Sequence, residues 1–173
     1  HEAARIETAD PVREALRLLA AGRIVAVKGL GGFHLAVDAG CQEAVARLRQ
    51  RKHREEKPFA LMAEALVKIA RFAHFSEAES ALLQKPQRPI VLLRKKHPNN
   101  IADAVAPGNR YFGIMLPYTP LHHLLLSDSR FDALVMTSAN PGGEPIAIDN
   151  EEAFLRLSGI ADHFLVHSRD IVL

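Results

Sequence analysis

Short apolar runs alternate along this sequence with segments that carry helix-start signals, and this alternation limits the possible folds more than any other feature. Asp10-Pro11 is typical of a helix start, because Asp caps the first turn and Pro fits the first helical position. Ser76 and Asp149 each precede a Glu by three residues, which is the spacing of a capping box. The pattern predicts helices near 11–21, 42–54, 77–85, 120–126 and after 149, and strands at 24–27, 33–37, 59–62, 90–93, 111–116, 134–137 and 164–166.

The alternation comes with no internal repeat or low-complexity linker, and it predicts an α/β fold. We expect a mixed, largely parallel sheet with helices on both faces. Ligand sites in such sheets gather on loops beyond the ends of strands. Three predicted loops fit that description: 28–32, 52–58 and 138–145. The segment 95–110 holds Pro, Asn and Gly and is predicted to be a long loop.

The composition fits one globular domain, because 48% of the 173 residues are hydrophobic. Since the net charge is only +2, a preference for anions must come from local clustering. The single cysteine, Cys41, excludes an internal disulfide. No apolar run approaches the roughly 20 residues of a membrane span and no leader is recognisable, so we expect a cytoplasmic protein without membrane contacts. We expect one domain over 1–173, excised from a longer multidomain protein.

A basic cluster at 49–57 packs five lysines and arginines into nine residues at the end of a predicted helix. Such a cluster is often a solvated face that complements the helix dipole. Here it comes just before a predicted strand, where cations would face a loop-built pocket. Lysine and arginine supply point-charge and bidentate contacts to phosphate, so a phosphate site is the competing interpretation.

A second candidate segment, 137–143, follows a predicted buried strand and reads Thr-Ser-Ala-Asn-Pro-Gly-Gly. Its hydroxyl, amide and backbone groups can present donors to an anion or a sugar. An ordinary turn is the alternative, since all these residues favour turns. Ser138 as a hydrolase nucleophile is a weak idea, because the glycine-flanked elbow is absent.

The third candidate is the glycine-rich loop that begins at Lys28. It is neither a phosphate-binding P-loop, since no Gly-Lys-Ser/Thr follows, nor a dinucleotide fingerprint, since no helix follows. It is either a tight hairpin or a place where backbone approaches a ligand closely, with Lys28 at its edge. His34 beside the glycines is the one histidine that we place near a ligand. No cysteine pair supports a zinc site, and we predict no bound metal in the protein.

These segments resemble the YrdC-like superfamily, which pairs a Lys-x-Arg motif with a Ser-x-Asn motif; here they are 52–54 and 138–140. The sequence is more closely similar to the YrdC-like domains of the HypF carbamoyltransferases of [NiFe]-hydrogenase maturation. The resemblance extends from about residue 10 to residue 171, and four ungapped blocks carry it: 28–36, 51–62, 115–122 and 136–140.

The resemblance implies a YrdC-like twisted sheet with a concave ligand pocket. It also implies an adenylate-forming activity, in which carbamate derived from carbamoyl phosphate reacts with ATP to give carbamoyl-adenylate and pyrophosphate. An acylphosphatase domain would supply carbamate, a carbamoyltransferase domain would take the product, and HypE would be the final acceptor. Mg²⁺ would arrive on ATP. Since carbamate supply comes from a neighbouring domain, the isolated domain is expected to be weakly active.

The resemblance also implies roles for residues in and beside the three loops and for Arg110 at the end of the long loop. Lys52, Arg54 and Lys28 would be the catalytic cations. Nucleotide or acyl-group contacts would come from eight further residues: Lys57, Ser138, Asn140, Thr137, Gly31, Gly32, His34 and Arg110. Arg49 and Arg51 are expected to belong to the solvated surface.

Two other functions stay open. A threonylcarbamoyl-adenylate synthase for tRNA modification would share the Lys-x-Arg and Ser-x-Asn motifs. The synthases carry hydroxyl side chains in the loop where this chain has Lys28 to Gly31, so the glycines favour an unsubstituted carbamoyl group. A double-stranded-RNA-binding module without catalysis would use the same basic surface, and its affinity would depend steeply on salt.

Overall fold

The computed structural model describes residues 6–140, 145–169 and 171, which form one eight-stranded sheet with helices packed on it. The strand order is β4-β5-β6-β3-β7-β2-β1-β8. The strands are β1 Val25–Lys28, β2 Phe33–Asp38, β3 Ala60–Met62, β4 Ala73–His74, β5 Val91–Lys95, β6 Tyr111–Met115, β7 Leu134–Ser138 and β8 His163–Leu165. The helices are α1 Pro11–Ala20, α2 Gln42–Arg51, α3 Leu66–Ile69, α4 Glu77–Leu83, α5 Pro120–Leu126 and α6 Asn150–Leu157, with a 3₁₀ turn at Asp103–Val105.

The helix starts lie where the capping residues predict them. The Asp10 carboxylate accepts a hydrogen bond from the Arg13 N–H, and Ser76 forms a reciprocal capping box with Glu79. Thr119 and Asp149 cap α5 and α6 in the same manner, each accepting from backbone N–H groups of the first turn. Local capping chemistry therefore sets where these four helices begin.

The mixed sheet is confirmed, but the expectation that parallel pairs predominate is wrong. Among the described residues, β1 pairs with β8 and β3 with β6 in parallel, and the other five neighbouring pairs are antiparallel. The reason is visible at β1 and β2, which are joined by a four-residue glycine hairpin. A connection that short can join only antiparallel strands, since parallel strands need a long crossover.

Helices cover both faces of the sheet, as predicted. Alternate residues of β2 point to opposite faces, so Leu35 belongs to a core that includes Val45 and Leu48 of α2. Ala36 belongs to a second core that includes Leu19 of α1 and residues of α5. The sheet thus separates two apolar layers. None of the helices among the described residues is both long enough and apolar enough to cross a bilayer.

Three details of the fold differ from the sequence prediction. Helix α2 ends at Arg51 instead of residue 54, and His53 adopts a left-handed backbone with φ +48°. The chain turns there because side-chain contacts from the helix hold the following loop, as described below. The short elements α3 and β4 were not predicted, since four and two residues are too few to show a periodic pattern.

Candidate active site

The end of α2 and the end of β7 meet at Lys52. Its ammonium group donates to the Ser138 carbonyl at 2.9 Å and to the Asn140 carbonyl at 2.6 Å, and its Nζ lies 3.5 Å from Asn140 Oδ1. The Ser138 hydroxyl donates to the same Oδ1 at 2.7 Å. The Lys-x-Arg and Ser-x-Asn motifs, 86 residues apart in sequence, are therefore directly hydrogen-bonded.

Lys52 is buried, with 7% of its surface exposed. Burial, and in smaller part the nearby charge of Arg54, lower the pKa of Lys52 to about 8. The bonded partners are carbonyl and amide oxygens, and among the described residues no carboxylate forms an ion pair with Lys52. A buried ammonium without a carboxylate partner is favourably placed to bind an anion.

Arg54 lies half-buried beside Lys52 in the loop that leads to β3. Its Nε donates to the Lys57 carbonyl at 2.9 Å and its Nη2 to the Pro58 carbonyl at 2.6 Å. The guanidinium carbon sits 4.9 Å from the centre of the Phe59 ring. Burial, followed by the charge of Arg49, lowers the pKa of Arg54. The Nη1 group makes no hydrogen bond among the described residues.

The glycine loop is a hairpin between β1 and β2, closed by the Gly29 N–H donating to the Gly32 carbonyl at 2.9 Å. Gly32 has φ +143°, and a Cβ there would overlap the side chain of Ile146, so the position requires glycine. A Cβ on Gly31 would meet no atom within 4 Å. The hairpin therefore has one packed glycine and one that faces open space.

Lys28 is buried at the base of this hairpin, with 3% of its surface exposed. Its ammonium lies 3.4 Å from the His167 carbonyl, which it approaches as a donor. The pKa of Asp149 is lowered, first by the hydrogen bond from the Glu152 N–H and in smaller part by the charge of Lys28. Lys28 is thus directed toward the α6 start and the segment after β8, and it makes no hydrogen bond to Lys52, Ser138 or Asn140 in the described structure.

His34 lies opposite Ser138 in the pairing of β2 with β7, and Leu35 lies opposite Thr137. Directly paired residues share a face of the sheet, so His34 and Ser138 point to the same side. The Nδ1 atom of His34 is buried without a hydrogen-bond partner, and burial lowers its pKa, so the ring is neutral. Thr137 is buried in the strand directly before Ser138.

Sequence reasoning missed His122, which lies against His34, and Tyr118, which lies against His122. His122 packs edge-on to His34 at 6.3 Å between ring centres and to Tyr118 at 4.4 Å. Burial, then the neighbouring His34 and His123, lower the pKa of His122 to about 4. The signal was available: the Thr119 cap sets the phase of α5, and Leu125 and Leu126, three and four positions on, mark the buried face that His122 shares.

Lys57 and Arg110 are exposed, and among the described residues their side chains make no hydrogen bond to Lys52, Arg54, Ser138 or Asn140; only the Lys57 carbonyl is bonded to the motif, through Arg54. Arg110 lines a separate cavity of about 690 Å³ together with Glu55, Glu56 and Gly108. A second cavity, of about 700 Å³, lies between α1, α6 and β8. Lys52, Arg54, Ser138 and Asn140 line neither of these two cavities. Residues 141–144, which include part of the predicted 137–143 segment, lie outside the described residues.

The expectation that Arg49 and Arg51 belong to the solvated surface is wrong. Arg51 Nη1 forms an ion pair with Asp162 at 2.7 Å and donates to the Ile160 carbonyl at 2.9 Å. Arg49 donates to several backbone carbonyls and stacks on Phe59 at 4.8 Å. Their partners are distant in sequence or lie in a loop whose path is set by tertiary contacts, so the basic pattern alone did not reveal them.

A metal ion bound at this site would need side chains to coordinate it. The described residues contain no group of three or more His, Cys, Asp or Glu placed to hold a metal ion. Lys52 and Arg54 are cations, and the oxygens around them are backbone carbonyls already bonded to those cations. This arrangement suits an anion and offers a divalent cation no carboxylate ligand.

Comparison with known proteins gives one family match over nearly the whole chain. The Sua5/YciO/YrdC family, described as "Telomere recombination", matches residues 17–172. Carbamoyltransferase HypF2 of Cupriavidus necator is 50% identical over 97% of this chain, which corresponds to 23% of that protein. Carbamoyltransferase HypF of Synechocystis is 49% identical over 96% of the chain and 22% of its own length.

Solved structures give the same result. The chain superimposes on T. kodakarensis HypF with a TM-score of 0.92 at 45% identity, over 98% of this chain and 22% of that one. A full-length HypF in the phosphate- and nucleotide-bound form gives 0.89 at 46% identity, over 96% and 26%. The chain therefore spans about a quarter of the length of these relatives.

A more distant relative is the threonylcarbamoyl-AMP synthase of Bos taurus, which is 26% identical over 83% of this chain and 51% of its own length. The P. abyssi Sua5 structure complexed with L-threonine shares the fold, with a TM-score of 0.78, at 19% identity over 91% of this chain and 47% of that one.

Proposed function

Since this chain belongs to the Sua5/YciO/YrdC family, in which it is the YrdC-like domain of a HypF carbamoyltransferase, we propose that it condenses carbamate with ATP. The products are carbamoyl-adenylate and pyrophosphate. The chain would perform one step of carbamoyl transfer in [NiFe]-hydrogenase maturation.

The observation that carries this proposal is the hydrogen bonding of Lys52 to the carbonyls of Ser138 and Asn140. It brings a buried, unpaired positive charge next to a hydroxyl and an amide at the end of β7, where Arg54 adds a second cation. This combination suits a polyphosphate and its sugar. Support for a nucleotide ligand comes from the HypF structure solved in the phosphate- and nucleotide-bound form.

The proposed reaction requires alignment and charge neutralisation more than proton transfer. A carbamate oxygen attacks the α-phosphorus of ATP, the bond from that phosphorus to the bridging oxygen of the β-phosphate breaks, and pyrophosphate leaves with the bond's electrons. Carbamate is already an anion, so no general base is needed. Lys52 and Arg54 would neutralise the charge that builds on the phosphate oxygens.

The glycine hairpin would hold the acyl end of the ligand. Gly31 faces open space, so its backbone is accessible to a small group. Lys28 would contribute positive charge from the hairpin base, and neutral His34 would offer a hydrogen-bonding nitrogen beside Ser138. Thr137, Asn140 and Gly32 would support these contacts, while Lys57 and Arg110 would reach the outer phosphates from exposed positions.

Mg²⁺ would enter this reaction bound to ATP, since the cationic cluster offers it no carboxylate. It would screen the β- and γ-phosphates and help pyrophosphate to leave. Carbamate would come from carbamoyl phosphate through an acylphosphatase domain, and a carbamoyltransferase domain would pass the product toward HypE. A cytoplasmic location would accord with this role.

The experiment that tests the proposal supplies the chain with ATP, Mg²⁺, bicarbonate and ammonia, and measures pyrophosphate release. Hydroxylamine added as a trap converts a carbamoyl-adenylate to hydroxyurea, which mass spectrometry detects. We expect pyrophosphate and hydroxyurea to depend on both bicarbonate and ammonia. Lys52→Met should abolish both products, while Arg51→Met, which removes one positive charge from the adjacent position, should retain them.

A second candidate function is threonylcarbamoyl-adenylate synthesis, which the 26% identity to the Bos taurus synthase favours. Adding threonine to the same assay separates the two: product that forms only with threonine contradicts the carbamoyl-adenylate proposal. Binding of double-stranded RNA is the third possibility. It requires an affinity that falls steeply as salt rises, and absence of such binding beside tight ATP binding would exclude it.

A further inference from the structure

Arg49 makes more hydrogen bonds to backbone carbonyls than its position in a basic cluster suggests. Its Nη1 donates to the carbonyls of Arg54 at 2.6 Å and Glu55 at 3.0 Å and lies 3.3 Å from that of Lys57. The Nε and Nη2 groups donate to the Ala104 carbonyl at 3.0 and 2.8 Å. One guanidinium thus connects the loop 54–57 to the 3₁₀ turn, whose Ala104 lies 55 residues after Arg49.

The same guanidinium also shares an aromatic ring with Arg54. Arg49 lies 4.8 Å and Arg54 4.9 Å from the centre of Phe59. Two like charges on one ring repel, and the charge of Arg49 contributes to the lowered pKa of Arg54. They stay together because each is neutralised in part by carbonyl dipoles and by the ring.

The loop that Arg49 holds is the one that carries the proposed phosphate contacts. Arg54 donates from Nε and Nη2 to the carbonyls of Lys57 and Pro58, so Nη1 is the group that can donate to a ligand. The direction of that group depends on where the carbonyls of the loop lie. Arg49 binds one of these two carbonyls, that of Lys57, and the carbonyl of Arg54 itself.

We propose that Arg49 is a positioning residue for the nucleotide site: it fixes the backbone of 54–57 so that Arg54 presents its free guanidinium edge to phosphate. The inference rests on the proposed function, because it assumes that Arg54 contacts ATP. Arg49 itself does not touch the ligand. Its effect on ATP binding passes through Arg54.

The test compares Mg²⁺-ATP affinity, measured by isothermal titration calorimetry, for Arg49→Met and Arg51→Met in the 173-residue chain. Both changes remove one positive charge from the last turn of α2, but only Arg49 contacts the loop. We expect Arg49→Met to weaken ATP binding about 10-fold and Arg51→Met less than about 3-fold, a difference that loss of one charge-assisted network produces. Equal effects would overturn the proposal.

A double-mutant cycle with Arg54→Met separates positioning from general structural support. If Arg49 acts through Arg54, then Arg49→Met adds less than about 2-fold to the loss that Arg54→Met already causes. A fully additive loss would overturn the proposal. Should Arg49→Met fail to fold, Arg49→Lys replaces it in the cycle. Lysine retains the charge but cannot bond the carbonyls as a fork, and the same criterion of additivity with Arg54→Met applies.

The outcomes distinguish this inference from the proposed function. A wild-type chain that binds no ATP contradicts the function. A chain that binds ATP and is weakened by Arg54→Met, but is indifferent to Arg49→Met, retains the function and contradicts only the role of Arg49.

Discussion

Helix α2 and the loop that follows it carry two groups of cations within the eight residues 47–54, and the protein compensates their charges differently. Arg51 and Arg47 face Asp162, at 2.7 and 4.0 Å, on the side of the helix toward the start of β8. Lys52, Arg49 and Arg54 are instead bonded to backbone carbonyls, and no carboxylate of the described residues pairs with them.

The difference separates structural cations from candidate ligand-binding ones. A carboxylate cancels the charge of its arginine, so little field remains for a second anion. Carbonyl dipoles hold a cation in place but leave its net charge uncompensated. Burial is the main cause of the lowered pKa values of Lys52 and Arg54. Like-charge repulsion is the second, from Arg54 on Lys52 and from Arg49 on Arg54, and an incoming phosphate would relieve it.

The largest expected effect follows from removing the buried member of the carbonyl-held group. Lys52→Met retains the length of the side chain but loses its charge and its bonds to Ser138 and Asn140. We expect ATP affinity to fall about 100-fold, corresponding to about 2.7 kcal/mol, which is typical of a lost charged hydrogen-bond donor. Isothermal titration calorimetry with Mg²⁺-ATP measures it, with Arg51→Met as the charge-matched control. A similar loss of ATP affinity in both variants would contradict the distinction between carbonyl-bonded and carboxylate-paired cations.

For the carboxylate-paired cations we expect a loss of stability with little change in ATP affinity. Asp162 accepts from the Ile24 N–H at 2.8 Å as well as from Arg51, and so joins α2 to the start of β1. Asp162→Ala should lower the free energy of unfolding by about 2 kcal/mol, because it leaves a buried N–H and an arginine unpaired. Urea denaturation measures the loss. ATP affinity, measured below the unfolding transition, should change less than about 2-fold; a large change would mean that the paired cations also serve the ligand.

The smallest expected effect is the uptake of a proton when ATP binds. Lys52 has a pKa of about 8 in the free protein, and bound phosphate would raise it by favouring the charged form. ATP binding should therefore take up part of one proton near pH 8.5, and affinity should fall as pH rises above 8. Calorimetry in buffers with different ionisation enthalpies measures the uptake. Lys52→Met should abolish it and Arg51→Met should not; uptake that persists without Lys52 would assign the proton to another group.

The sequence predicted the parts of this molecule that depend on neighbouring residues. Caps at Asp10, Ser76 and Thr119 place their helices, and alternating apolar runs place most strands. Sheet order and the predominance of antiparallel pairs depend on contacts between distant segments, so the mixed sheet was predicted correctly but the expected predominance of parallel pairs was wrong. The motif resemblance identified Lys52, Ser138 and Asn140, which the fold brings together across 86 residues.

The roles of the other basic residues could not be predicted, because each depends on a distant partner. Arg51 meets Asp162 across 111 residues, and Arg49 meets Ala104 across 55. A run of cations looks uniform in the sequence, and only the fold shows which of them has a carboxylate. The end of α2 at Arg51 also depends on tertiary contacts, because Arg49 holds the following residues in a loop by bonding their carbonyls.

The most direct test of this division is a crystal structure of the chain with Mg²⁺ and a non-hydrolysable ATP analogue. We predict phosphate oxygens about 3 Å from Lys52 Nζ and from Arg54 Nη1, with the Arg51–Asp162 ion pair intact. Phosphates bound at Arg47 and Arg51, with Lys52 still bonded only to the carbonyls of Ser138 and Asn140, would contradict the account.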